Sequence, residues 1–479
     1  MNADRREQVR DAAKYLREVR PLDPEELATY VEGQPHPAAV RQVLRESAVD
    51  LAIREREDGR FVPVEGGPID PPGRPVAVPD ERLRAIEDRL VAAFGPDWHR
   101  GESGATLRER IHDLKAAYLD DEPVQYDRQT ALAYAIYHFP SSYASTASLI
   151  DQIATEELLE SPLRVCEIGA GVGGPMAAVL DRLGPDVPIA YDAVEPSAAA
   201  DIAATIVGDG PRNAAVTIHR ERAESFDPGA VEYDLVIAAR VANELDAPTD
   251  TIGRYADTLA DDGTLVLVAP ADRETAIGIR EIERALADRL TVYAPTVRLW
   301  PDHAPSSRCW SFDRKPAIDL PAIQRKLASE ADDPDAIENV RVQYAPSILR
   351  ADDRRRYAFT PDADRVGTFA DTADRVTERV DAVAITLSHD LGSDPDANPQ
   401  FLIGDGSESR DHVAVLVRET TLNATLRTAG YGDCLQIENA LVLDNADQEA
   451  YNLVIDDEAI VDRIACVPTP PGHDRSGGE

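Results

Sequence analysis

At 479 residues the chain exceeds what one compact core organises, so two to four domains are expected. Its formal charge of −38 comes from 88 acidic against 50 basic residues, with lysine at 14, 115, 315 and 326 alone; an even acid excess on a lysine-poor, arginine-rich chain is the composition of a halophilic proteome, the alternative being a basic partner surface. Nucleic acid is not excluded by this charge, because molar salt shortens screening to about 3 Å. No apolar run approaches the roughly 20 residues of a membrane span, and four cysteines (166, 309, 434, 466) lack CxxC spacing, so membrane helices and a disulfide framework are excluded and a cytoplasmic, reduced, soluble protein is expected.

The N-terminus, MNADRREQVR, is charged and helical, unlike a signal peptide. Residues 1–65 read as a winged-helix-like domain. A first helix covers 5–20, a second follows the Asp23-Pro24-Glu25-Glu26 cap, and a third starts at Pro37. Runs 51–55 and 61–64, joined by a turn holding Asp58-Gly59, give a hairpin. Arg41 and Arg45 lie on the third helix, and Arg54, Arg56 and Arg60 on the wing. Such a module reads nucleic acid, docks a protein, or caps a domain.

Residues 65–78, EGGPIDPPGRPVAV, form a Pro/Gly linker without regular structure. A helical domain over 79–160 follows, with helices at 80–94, 106–119, 127–137 and 143–159. From Leu163 short apolar runs (LRVCEIG, IAYDAVEP, AAVTIHR, YDLVIAA, GTLVLVAP) alternate with amphipathic stretches, the signature of a parallel sheet covered on both faces. This Rossmann-like α/β domain spans 161–320. After a polar stretch holding the basic run Arg354-Arg355-Arg356, either a phosphate contact or a solvated face, residues 371–470 read as an OB-fold-like barrel. Its strands are 382–388, 400–404, 412–418, 433–443 and 451–455, with a helical stretch at 420–428. Six arginines against twenty acids deny this module the basic groove of a single-strand binder.

Residues 165–174, VCEIGAGVGG, join a buried strand to a helix. Glycines belong there because a backbone that approaches a ligand has no room for Cβ and adopts positive φ. Two acids narrow the reading to an S-adenosylmethionine site of the class I methyltransferase type. Glu167 stands two positions before Gly169, where it organises the loop and reaches the amino group of the methionine moiety. Glu195, at the tip of the next strand, accepts from the ribose hydroxyls. The expected cofactor-binding set is Glu167, Gly169, Ala170, Gly171, Gly173, Glu195, Pro196, Ala223, Glu224 and Arg240. Arg222 occupies the usual adenine-binding aspartate position, and Glu224 substitutes for it. The loop after the fourth strand, 240–245, meets the acceptor, so Arg240, Asn243 and Glu244 are the catalytic candidates. It has neither an Asn/Asp-Pro-Pro-aromatic motif nor a positioned cysteine nucleophile. The competing reading is a scaffold that has lost its ligand.

At 131–143, ALAYAIYHFPSSY, and on through EIGAGVGG, DLVIAARVANEL and GTLVLVAPADRETAIGI, residues 125–320 resemble the methyltransferase-like family associated with the mitochondrial and bacterial small ribosomal subunit. The resemblance implies a factor that binds the small subunit or its ribosomal RNA in assembly or translation, as an enzyme or as a non-catalytic assembly factor. A small-molecule methyltransferase is the third reading. Family members often carry four cysteines after the sheet, proposed to hold an iron–sulfur cluster; in RLWPDHAPSSRCWSF Cys309 stands alone, so no metal cluster is expected. Cys166 reads as a small buried hydrophobe, Tyr134, Phe139 and Tyr143 as helix-packing groups, and Trp310 and Phe312 as core aromatics.

Overall fold

The computed structural model describes residues 1–71, 73–120, 122–208, 210–306, 308–392 and 397–465, so Cys466 and the end of the 371–470 window lie outside the described residues. The chain divides into two compact units, one formed by 1–239 with 316–342, the other by 240–315 with 343–479.

The first unit begins with helices Ala3–Leu16, Pro24–Thr29 and Pro37–Glu46, followed by the antiparallel strands Ile53–Glu55 and Phe61–Pro63. Asp23 accepts from the Glu25 N–H and Pro24 fills the first helical position, which fixes the second helix start. Val9, Val40, Leu44, Leu51 and Phe61 close a core beneath these elements. Four of the five arginines of the third helix and hairpin are matched within the unit. Arg41 and Arg45 both pair with buried Glu55, Arg54 with Asp186 at 2.7 Å, and Arg60 with Asp23 at 3.4 Å.

Helices Asp80–Phe94, Gly101–Leu119, Arg128–Tyr137 and Phe139–Thr155 come next and pack Ile86, Trp98, Leu107, Ile111, Ala135 and Phe139 into one cluster. Two expectations are corrected here. The fourth helix starts at Phe139 rather than 143, because Pro140 suits a first turn, and it stops at Thr155. The Pro/Gly segment is not wholly irregular, since Gly67–Pro68 pairs with Glu160–Ser161 and the Ile69 N–H donates to the Leu159 carbonyl. Strand pairing satisfies backbone groups that a linker leaves to water.

The parallel strands of this unit run in the order Tyr233–Ala239, Leu163–Ile168, Ile189–Val194, Ala214–His219. Short apolar runs buried on both faces, as in Leu163–Ile168, are what a covered parallel sheet demands. A helix outside the expected set, Ala322–Ala328, returns to this unit, where the buried Gln324 amide donates to the carbonyl of Ile136 at 2.9 Å.

In the second unit, helices Pro248–Ala256 and Arg273–Leu286 accompany strand Leu259–Ala269. This strand pairs antiparallel with Val342–Arg350, so the strands of the Rossmann-like region are mixed in direction. The sequence places no strand at 342–350. The run VQYAPSILR is buried almost throughout and lacks the two-residue alternation by which a half-buried strand is recognised.

The C-terminal module of this unit is a closed five-stranded barrel, consistent with the expected OB-like form. Strands Arg379–Thr386, Gln400–Gly404 and Asp411–Leu416 form a meander, and the third pairs in parallel with the fifth, Ala450–Ile455. The fourth, Cys434–Asn445, joins the fifth to the first and closes the ring. Helix Thr425–Thr428 lies between strands three and four, and a further strand, Ile460–Ile464, adds to the fourth. The basic run is not a solvated face: Arg354 is buried, Arg355 donates to the Arg298 carbonyl and Arg356 to that of Gly432.

One clip in the first unit is a direct target. The Asn213 carboxamide, itself buried, accepts from the Glu55 N–H at 2.6 Å and donates to the Glu55 carbonyl at 3.1 Å. Asn213→Ala leaves both backbone groups unpaired and is expected to lower unfolding stability by about 1–3 kcal/mol. Urea melts read this as a lower midpoint at unchanged slope; an unaltered midpoint would show that the clip bears no load.

Candidate functional site

The turn after Leu163–Ile168 places Gly169, Gly171 and Gly173 at φ 69°, 53° and 83°, the left-handed region that side chains avoid. A Cβ at Gly173 would sit 3.1 Å from the Ala203 Cβ, so this position also needs glycine for close packing between helices. A Cβ at Gly171 would meet open space, and its N–H is turned inward to donate to Glu195 Oε2 at 2.8 Å. Helix Gly174–Leu183 starts directly after the loop. Its Gly174 lies against Ser142 and Tyr143 of helix Phe139–Thr155. Phe139 and Tyr143 are buried packing groups there.

Glu195 accepts twice, from Gly171 and from the Ser197 N–H at 2.9 Å. The carboxylate at the second strand tip thus ties the glycine loop to the start of the next segment. Each oxygen keeps acceptor capacity, since a carboxylate offers about four lone-pair sites.

Glu167 is fully buried. Its Oε2 accepts from the Tyr191 hydroxyl at 2.7 Å, while Oε1 has no hydrogen-bond partner. Burial pushes this carboxyl up to about 8; the Tyr191 bond acts against the rise, and the charge of Glu195 adds to it. Tyr191 is a site residue that the sequence reading missed. Val165 is its neighbour in register and Glu167 pairs with Ala193, so Tyr191 stands diagonally across from Glu167 on one sheet face. The signal available was a hydroxyl inside the otherwise apolar run IAYDAV.

The remaining expected residues are arranged as follows. Ala170 and Ala223 are buried and Pro196 is exposed. Arg222 and Glu224 pair with each other at 3.2 Å, so the Glu224 carboxylate already carries a cation. Arg240, Asn243 and Glu244 belong to the second unit. There Arg240 takes φ 59° and its N–H donates to the Val268 carbonyl, whereas Asn243 and Glu244 are exposed on a single 3₁₀ turn. The structure therefore brings together Glu167, the three glycines and Glu195 within one unit.

This donor set fits S-adenosylmethionine. A buried carboxylate oxygen without a donor suits an ammonium, a carboxylate with spare lone pairs suits a ribose diol, and a glycine turn open at Gly171 leaves space for the chain between them.

Residues 140–317 match the family described as "Methyltransferase domain". Residues 6–57 match the N-terminal domain, and 370–464 the C-terminal domain, of a family described as "Domain of unknown function (DUF8157)". No curated protein matches the chain. Among solved structures, the CurJ carbon methyltransferase is similar at 16% identity, covering 72% of this chain and 90% of that one, with a TM-score of 0.31. The mitomycin 7-O-methyltransferase MmcR shows 17% identity over 61% and 90% of the two chains, with a TM-score of 0.27. The pyocyanin biosynthetic protein PhzM shows 13% over 72% and 94%, with a TM-score of 0.28.

The raised Glu167 pKa has a definite sign in stability. Between the ordinary value of 4.5 and about 8 the folded chain binds the proton that the unfolded chain has released, so this group's contribution is present below 4.5 and lost as pH rises through 8. Glu167→Gln keeps the neutral shape and removes the titration. The variant is expected to gain stability relative to wild type between pH 5 and pH 8, read as a difference in urea midpoints. A wild-type difference of zero across that window would place an ionised carboxylate in the ligand-free site.

Proposed function

We propose that the chain binds S-adenosylmethionine at the loop 169–173 and transfers its methyl group. The observation that carries this reading is the buried, donorless Oε1 of Glu167 beside that loop. When bound, the cofactor supplies an electrophilic methyl group on a sulfonium. Glu167 would hold the ammonium, and Tyr191 would fix the carboxylate rotamer through Oε2. Glu195 would accept from the ribose hydroxyls while keeping the loop in shape. Ala223 and Glu224 are assigned to the adenine side, and Arg240, Asn243 and Glu244 to the acceptor side. Aligning donor and acceptor supplies much of the rate in such transfers.

The resemblance at 131–143 points to an acceptor on the small ribosomal subunit or its RNA, in a factor that acts with or without catalysis. One observation favours a second reading, a small-molecule acceptor. Arg41, Arg45, Arg54 and Arg60 are all matched by carboxylates of their own unit, which leaves little of the cation patch that phosphate binding uses.

Calorimetry with S-adenosylmethionine in molar salt tests the cofactor assignment. Binding is expected, with affinity reduced at least tenfold, or about 1.4 kcal/mol, in Glu195→Ala and Glu167→Gln. At pH 7 the ammonium draws the Glu167 proton off, so the wild-type enthalpy should vary with buffer ionisation heat and that of Glu167→Gln should not. Wild type failing to bind would leave a scaffold. Mass mapping of ribosomal RNA with and without the gene separates the acceptors, since one lost methyl group supports the ribosomal reading and an unchanged map supports the small molecule.

A further inference from the structure

Strand Ala214–His219 forms one edge of the parallel sheet, and among the described residues no strand pairs with its outer side. At the two ends of its inner ladder the Ile189 N–H donates to Asn213 and the Glu195 N–H to His219. Bonds alternate along a parallel pair, so the N–H and C=O groups of Val216 and Ile218 face outward. Edges are usually blunted by lysine, proline or a bulge. The run AAVTIH has no lysine or proline, and its register with Ile189–Val194 runs unbroken.

Beside the first residues of this edge lies a groove of about 520 Å³, within the usual size of ligand clefts. It is lined by Ala214 and Ala215, by Gln42 and Arg45 of the third N-terminal helix, and by Arg56 and Arg212, the chain neighbours of the clipped Glu55 and Asn213. The Asn213–Glu55 clip ties the hairpin to the strand start. Among the described residues the side chains of Arg56 and Arg212 make no ion pair, in a unit where Arg41, Arg45, Arg54 and Arg60 are all matched.

We infer that this groove takes an extended peptide that pairs antiparallel with Ala214–His219 and presents a carboxylate to Arg56 and Arg212. Strand addition to an open edge supplies backbone hydrogen bonds, and flanking side chains supply selectivity. The direction follows from placing the carboxylate at the clipped end, opposite the start of the edge strand. A nucleic-acid strand fits less well. It would bring a phosphate at every step against Glu46, Glu55 and Glu57, where the peptide brings a single carboxylate, and its backbone offers no N–H and C=O ladder to the outward groups of Val216 and Ile218. This proposal is independent of the cofactor assignment.

Hydrogen exchange by mass spectrometry on the full chain tests it, with a degenerate hexapeptide library bearing free C-terminal carboxylates as the probe. Exchange over 214–219 is expected to slow about fivefold once the library reaches roughly four times its dissociation constant. An amidated library should give no protection, and an amidated library carrying one glutamate distinguishes a side-chain carboxylate from a chain end. Arg212→Glu should abolish protection. Val216→Pro should do the same with unchanged circular dichroism, because an edge strand tolerates proline where the N–H faces solvent; should that variant unfold, the Arg212→Glu comparison stands alone. No protection by either acidic library, equal protection by the fully amidated one, or protection by oligouridylate in place of peptide would each overturn the proposal.

Discussion

A carboxyl group inside the sheet core is the constraint on which the rest of the first unit depends. Glu167 lies near the end of a covered strand, where an unpaired charge is costly, and one of its oxygens is held by Tyr191 from the neighbouring strand. Keeping it there requires the register that sets Tyr191 diagonally opposite. It also requires a turn that leaves the strand without covering Oε1, which three left-handed glycines provide. Glu195 then locks that turn through the Gly171 amide. The loop, the second strand tip and the buried acid form one device rather than three separate ligands.

Much of this device was legible in the sequence because its parts are local. Glycines at 169, 171 and 173 with an acid two positions earlier specify a turn within ten residues, and the acid at 195 ends an adjacent apolar run. Tyr191 was not legible, since its role exists only once two strands are in register. The barrel was read from five apolar runs and a helix in the right order, and its strand bounds shifted by a few residues at most. The sixth strand and Val342–Arg350 escaped for opposite reasons. Ile460–Ile464 is short and interrupted by the adjacent charges Asp462 and Arg463, whereas Val342–Arg350 is buried almost throughout and sits after an acidic stretch that reads as loop.

Charge was the least reliable guide to role. Arg354-Arg355-Arg356 stands out in an acidic chain as a surface for phosphate, yet Arg354 is buried and the side chains of Arg355 and Arg356 reach back to carbonyls of their own unit. Arg41, Arg45, Arg54 and Arg60 of the third helix and hairpin are likewise absorbed by Glu55, Asp186 and Asp23. With 88 acids available, an arginine on this chain meets a carboxylate as a matter of supply. The informative cations are the few left unmatched, and those are found by geometry.

The first unit is discontinuous: residues 316–342 return to it after the chain has entered the second. Helix Ala322–Ala328 brings Gln324, fully buried, to carbonyls at the end of Arg128–Tyr137, and Asn339 donates to the Tyr137 carbonyl and the Ser141 hydroxyl nearby. During synthesis those carbonyls must wait for roughly 190 further residues, about 10–40 s of elongation. Over that interval the helical layer is incomplete, and the nascent chain holds an unfinished apolar surface that a chaperone can recognise before Ile323 and Leu327 cover it.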